Sequence, residues 1–177
     1  MSKLSWQESL RANLQNQLKT NSAPRVAVLG IGHELRGDDA VGLWLAARLK
    51  SLAAGCDRLL AVEAGPAPEN FTGTLRKFKP DLVVLADAAF MDADAGAIGW
   101  LSWQDASGFS ASTHTLPLHL LATYLTAELG CEVALIGIQP AQLTIGAALT
   151  PEVQQAAEEI SKVFIEAMSL SLSDLLV

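Results

Sequence analysis

Two aspartates, Asp38 and Asp39, stand side by side in the segment GIGHELRGDDAVG, residues 30–42. A glycine-rich loop between an apolar run and a helix-like segment admits three chemistries. A dinucleotide site would need G-x-G-x-x-G, but Leu35 holds the third glycine's place. Carboxylates at the helix start would also occupy the N–H donors a phosphate needs and would repel it. Helix capping explains one aspartate at such a position, because an acidic side chain accepts from free N–H groups and suits the helix dipole. A metal or catalytic site would explain both, provided other acidic or imidazole groups converge on them.

Such groups exist at the right kind of place. In an open α/β sheet, functional groups gather beyond the carboxyl ends of the strands. Asp87 ends the run LVVLAD, Glu63 lies near the end of LLAVEA, and STHTLP sets His114 just before a helix that starts near residues 115–117. Carboxylates with one imidazole suit a borderline divalent metal such as nickel or zinc. His33 is near enough in sequence to join them, although a loop hydrogen bond is its plainer role. His119 follows His114 by five positions, about 140° around a helix, so the two do not face one ion. Nucleophile triads find little support: G-x-S-x-G is missing, and Ser110, Ser112 and Thr113 lie beside His114 without a strand-to-helix elbow. Cys56 and Cys131 form no C-x-x-C pair and have no neighbouring basic group in sequence, so both read as small packing residues of a reducing compartment.

The elements that must position these groups follow from periodicity. VAVLGI (26–31), LLAVEA (59–64), LVVLAD (82–87) and VALIGI (133–138) are apolar without alternation. That pattern predicts strands buried on both faces, as in a parallel sheet. AIGWLSW (97–103) reads as a further strand, suited to an antiparallel edge. Between them, Val41, Trp44, Leu45 and Leu49 share one helical face, as do Leu121, Tyr124, Leu125 and Leu129. Residues 68–78 read as a short helix. Thr150 and Pro151 open a last helix whose core face is Val153, Ala157, Ile160, Phe164 and Ala167. The expected fold is a three-layer α/β/α sandwich with a twisted, mostly parallel sheet of about five strands, one of them antiparallel.

Residues 1–24 stand apart as an amphipathic helix and linker, leaving 25–177 as the main domain. SWQE has capping-box form, and Trp6, Leu10, Leu14 and Leu18 recur every four positions. The whole chain has 177 residues, half of them hydrophobic, enough for one sizeable core. Its formal net charge of −7 argues against nucleic acid, which needs lysine and arginine to displace counterions. No signal-peptide core or membrane-length apolar run is evident, and the chain reads as a soluble, cytoplasmic monomer.

Taken in order, VLGIGHELRGDDAVG, EAGPAPEN (63–70), LADA (85–88), THTLPL (113–118), GIQP (137–140) and LTPEV (149–153) resemble the hydrogenase maturation endopeptidases. The resemblance runs from about residue 25 to 168 and is nearest to the branch serving formate-hydrogenlyase-type hydrogenases. It implies an endopeptidase, aspartic-type or metal-assisted, that removes the C-terminal extension of the [NiFe]-hydrogenase large subunit precursor after nickel insertion. Nickel would then be the recognition signal, supplied by the precursor and not held permanently. The resemblance carries metal contact over to Asp39, Asp87 and His114, and a catalytic role to Asp38 and Asp39. Either Asp38 or another carboxylate then activates water as general base, or the bound metal polarises the carbonyl or the water. The chain departs from the family pattern at His33, where asparagine is usual, at Glu63-Ala64-Gly65, where an Asp-Gly-Gly-like turn is usual, and in its extra N-terminal helix. A non-catalytic nickel-binding assembly factor of the same fold is the competing expectation, and a general metallo-aminopeptidase or amidase a third.

Overall fold

The structure, a computed structural model, describes residues 5–104 and 117–173, with side chains to residue 169. Five strands form one sheet: β1 (Val26–Ile31), β2 (Leu59–Gly65), β3 (Leu82–Ala88), β4 (Ile98–Leu101) and β5 (Glu132–Ile138). Their order is β2-β1-β3-β5-β4, with β4 antiparallel to β5 and every other pairing parallel. Helices α1 (Trp6–Thr20), α2 (Val41–Leu52) and α5 (Pro151–Ser173) cover one face, and α3 (Thr72–Phe78) and α4 (Leu118–Leu129) the other.

Two cores explain the unbroken apolar runs. Val26 and Val28 of β1, with Leu82, Val84 and Ala86 of β3, pack toward α1, α2 and α5. Ala27, Leu29 and Ile31, with Val83 and Leu85, pack toward α3 and α4. Successive side chains point to opposite faces, and both faces are dry, so every position must be apolar. The edge strand β2 is only partly buried along its middle. The fold is the expected sandwich, and the four-residue β4 is the antiparallel edge.

The helices refine the expected faces. On α4, Leu118, Leu121, Ala122 and Leu125 are buried. Tyr124 points outward instead, and its hydroxyl accepts a 2.9 Å bond from Arg76 Nη2. Ser5 caps α1 with the full box: Glu8 N–H donates to its hydroxyl, and Ser5 N–H donates to the Glu8 carboxylate. Trp6, Leu10 and Leu14 are buried as the stripe predicts, but Gln17 and not Leu18 completes it. A four-residue recurrence advances about 40° per step beyond a full turn, so the stripe drifts off the contact line. These apolar residues join the same core as α2 and α5. On α5 the whole expected face, Val153 through Ala167, is buried. Among the described residues, no helix is long and apolar enough to cross a membrane.

Candidate active site

The loop after β1 folds back on itself and onto its neighbours through glycine. Gly32 sits at φ 133°, and a Cβ there would collide with the Asp39 carbonyl. A Cβ on Gly42, in the first turn of α2, would meet the backbone of both Ile31 and Ala86. These glycines bring the start of α2 against the ends of β1 and β3. They serve close backbone packing and not a phosphate. Between them, Gly37–Ala40 form a 3-10 turn that presents both aspartates at the carboxyl edge of the sheet.

Adjacent in sequence, the two carboxylates have different surroundings. Asp38 is fully buried. Its Oδ2 accepts from the N–H groups of Ala141 (2.8 Å) and Gln142 (3.1 Å), and its Oδ1 from Thr150 N–H (2.7 Å). The Thr150 hydroxyl lies 3.0 Å from both oxygens, and Asp38 N–H donates to the Gln142 carbonyl at 3.1 Å. Asp38 therefore fastens the β5–α5 loop to the β1–α2 loop. Its lone pairs are engaged, so accepting a proton from water would require breaking these bonds. The expectation of Asp38 as general base meets that obstacle.

Asp39, 1% exposed, turns the other way. Its Oδ2 accepts from His33 N–H at 3.1 Å and lies 3.8 Å from Arg36 Nη1. Asp87 is also 1% exposed, at the end of β3, opposite Gly137 of β5. The 3-10 turn packs against β3. Two buried carboxylates thus stand on touching elements at one edge of the sheet. Burial of an ionised carboxylate is tolerated where cations or N–H groups compensate it. Oxygen donors in this setting match the hard-to-borderline end of divalent metal chemistry.

His33 is exposed, and its Nδ1 accepts from Leu35 N–H at 3.2 Å, a loop hydrogen bond. Glu63 is exposed on the edge strand, opposite Gly30, next to a register shift. His119 is half-buried on α4. Cys131 is buried and Cys56 half-buried, both as free thiols. His114 and most of THTLPL lie outside the described residues. Among the described residues, no cluster of three His, Cys, Asp or Glu side chains is placed to hold a metal ion. Sequence reasoning missed the loop residues Ala141 and Gln142, although their segment directly follows GIQP, and it read Thr150 only as a helix cap.

The chain matches the family model described as hydrogenase maturation protease over residues 45–167. It is 30% identical over 154 residues to a putative hydrogenase maturation protease of Methanocaldococcus jannaschii, covering 84% of this chain and 90% of that one. It is 31% identical over 134 residues to the hydrogenase 3 maturation protease of Escherichia coli, covering 75% and 84%. Its fold matches the crystal structure of a [NiFe] hydrogenase maturation protease from Thermococcus kodakarensis with a TM-score of 0.75 and 33% identity, covering 82% and 93%. With a family model matched over more than half of its length and relatives of 30% identity or more covering most of it, the chain belongs to the hydrogenase maturation protease family.

Proposed function

We propose that this chain removes the C-terminal extension of a nickel-loaded [NiFe]-hydrogenase large subunit precursor and reads the nickel as its signal to cut. The observation that carries this reading is the buried pair Asp39 and Asp87 at the carboxyl edge of the sheet, in a member of this protease family. Asp39, Asp87 and His114 are the residues proposed to meet the precursor's nickel. A cation shared by two carboxylates offsets their mutual repulsion and their lost hydration. Two carboxylates and one imidazole are a sparse ligand set, and the precursor's own thiolates would complete it. Precursor without nickel would then lack the contact that seats it.

Seating supplies much of the rate, because it holds the scissile bond beside the site. Asp38 acts through the loop that it fastens. Because the Asp38 oxygens are committed to the loop, water activation would fall to another carboxylate of the site or to polarisation by the precursor's metal. Peptidase activity of this kind belongs with a cytoplasmic, monomeric enzyme whose client is still being assembled.

The test is mass spectrometry of the large subunit after incubation with the protein. Nickel-loaded precursor is expected to lose its extension, and nickel-free precursor to stay intact. Asp39→Asn and His114→Ala should each leave the fold in place and stop processing. Efficient cutting of nickel-free precursor would refute the nickel signal, and an unchanged mass for loaded precursor would favour a non-catalytic assembly factor.

A further inference from the structure

Three neighbouring strands, β1, β3 and β5, send their loops over the carboxyl edge, and each loop exposes one large apolar side chain. Leu35 is 57% exposed in the β1–α2 loop, Phe90 50% after β3, and Ile145 79% in the β5–α5 loop. Single exposed hydrophobes are ordinary on protein surfaces. These three differ in being held on fixed backbone around one site.

Leu35 N–H donates to His33 Nδ1, and the Leu35 carbonyl accepts from Gly146 N–H at 2.8 Å. Leu35 and Ile145 therefore stand on segments in direct hydrogen-bond contact. The loop around Ile145 is braced from within: the Gln142 side chain accepts from Thr144 N–H at 2.7 Å and donates to the Ala148 carbonyl at 3.1 Å. Asp38 anchors both ends of that loop through Ala141, Gln142 and Thr150. Phe90 is fixed by its neighbours: Ala89 N–H donates to the Ile138 carbonyl, and Met91 N–H to the Gln139 side chain at 2.7 Å. Phe90 also lies three positions beyond Asp87.

We propose that Leu35, Phe90 and Ile145 form an apolar docking rim that grips apolar side chains of the large subunit precursor next to its scissile segment. This rests on the function proposed above and deepens it. Continuity with the site points to the occupant: these loops follow the strand ends beside Asp39 and Asp87, so a chain seated at the two carboxylates lies next to them. Strands lie about 4.8 Å apart, so the ends of β1 and β5 are separated by about 10 Å, which an extended client spans in roughly three residues. Apolar groups on fixed loops lose little conformational freedom when covered, so their burial contributes directly to binding. Charge would serve less well here, because a net −7 surface repels an acidic client and holds a basic one without regard to register.

The experiment compares processing kinetics of wild type with the triple variant Leu35→Ser/Phe90→Ser/Ile145→Ser on nickel-loaded precursor. KM should rise about tenfold or more, with kcat nearly unchanged, because only shared binding is removed. The thermal midpoint should stay near that of wild type, since all three side chains are exposed. Leu52→Ser is the control: Leu52 is 42% exposed, but it ends α2, which runs away from the site edge. Its KM should match wild type. A wild-type KM for the triple variant overturns the rim. So does a wild-type dimer that the triple variant breaks at unchanged KM, because a second copy of the chain is then the occupant. Wild type that leaves loaded precursor uncut overturns the proposed function itself, and the rim falls with it; cutting at normal KM by the variant overturns the rim alone.

Discussion

Removing the Asp38 carboxylate would strand the N–H groups of Ala141, Gln142 and Thr150, all of which it now receives. Buried donors without partners carry their full desolvation penalty. Asp38→Ala is expected to lower stability by roughly 3 kcal/mol, read as a shift in the urea midpoint. Asp38→Asn should recover only part of this, because its amide nitrogen would face N–H donors. Activity should fall with loop order in both variants, and a wild-type midpoint for Asp38→Ala would refute the fastening role. A second residue-scale expectation concerns the thiols. Burial pushes the Cys131 thiol up to about 11, so at pH 8 it is protonated as well as inaccessible. The thiolate is the species that alkylates. Iodoacetamide should label half-buried Cys56 and spare Cys131 until the protein is denatured, as peptide mass mapping will read.

At the scale of elements, α1 tests how much packing contributes to a core it shares with α2, α5 and the sheet. Leu10 is fully buried against α5 and the sheet, whereas Leu18 is half-buried. Leu10→Ala should lower stability by about 2–4 kcal/mol and Leu18→Ala by less than about 1 kcal/mol. Equal losses would show that the stripe, and not the observed register, governs packing. The same helix shows what a sequence can disclose. Strands β1, β3 and β5 were legible because burial on two faces leaves an unbroken apolar run. The capping box was legible because both partners lie within one turn. Tyr124 was not, since an aromatic ring counts as apolar in a periodicity while its hydroxyl finds a partner, Arg76, 48 positions away. Nor was the role of Asp38: an aspartate before a helix reads as a cap, and its true partners lie 103 to 112 positions further on. Local spacing identified the acidic pair but could not divide its labour.

The whole molecule has two ends with different duties. Every parallel strand points its carboxyl end toward Asp39 and Asp87, and its amino end toward a region of structural bonds. There, Asp81 Oδ2 accepts from Arg25 N–H at 2.7 Å and from the Asn21 side chain at 3.0 Å, joining the segment after α1 to the start of β3. The Asp81 carbonyl accepts from Glu132 N–H at 2.9 Å, setting β5 beside it. Asp81 contributes order at this end, as Asp38 does at the other, whereas Asp39 and Asp87 are the carboxylates proposed to do chemistry, at some cost in stability. Asp81→Ala should therefore lower the denaturation midpoint by the equivalent of about 1–2 kcal/mol and leave kcat/KM of the folded enzyme unchanged. Asp87→Asn should do the reverse. A neutral isostere keeps the size of the side chain and much of its hydrogen-bonding capacity, so the fold should hold while processing is lost. Matched urea titrations and precursor-processing assays on the two variants decide the matter. If Asp81→Ala slows the folded enzyme, or Asp87→Asn processes normally, the division of the sheet into a structural end and a reacting end fails.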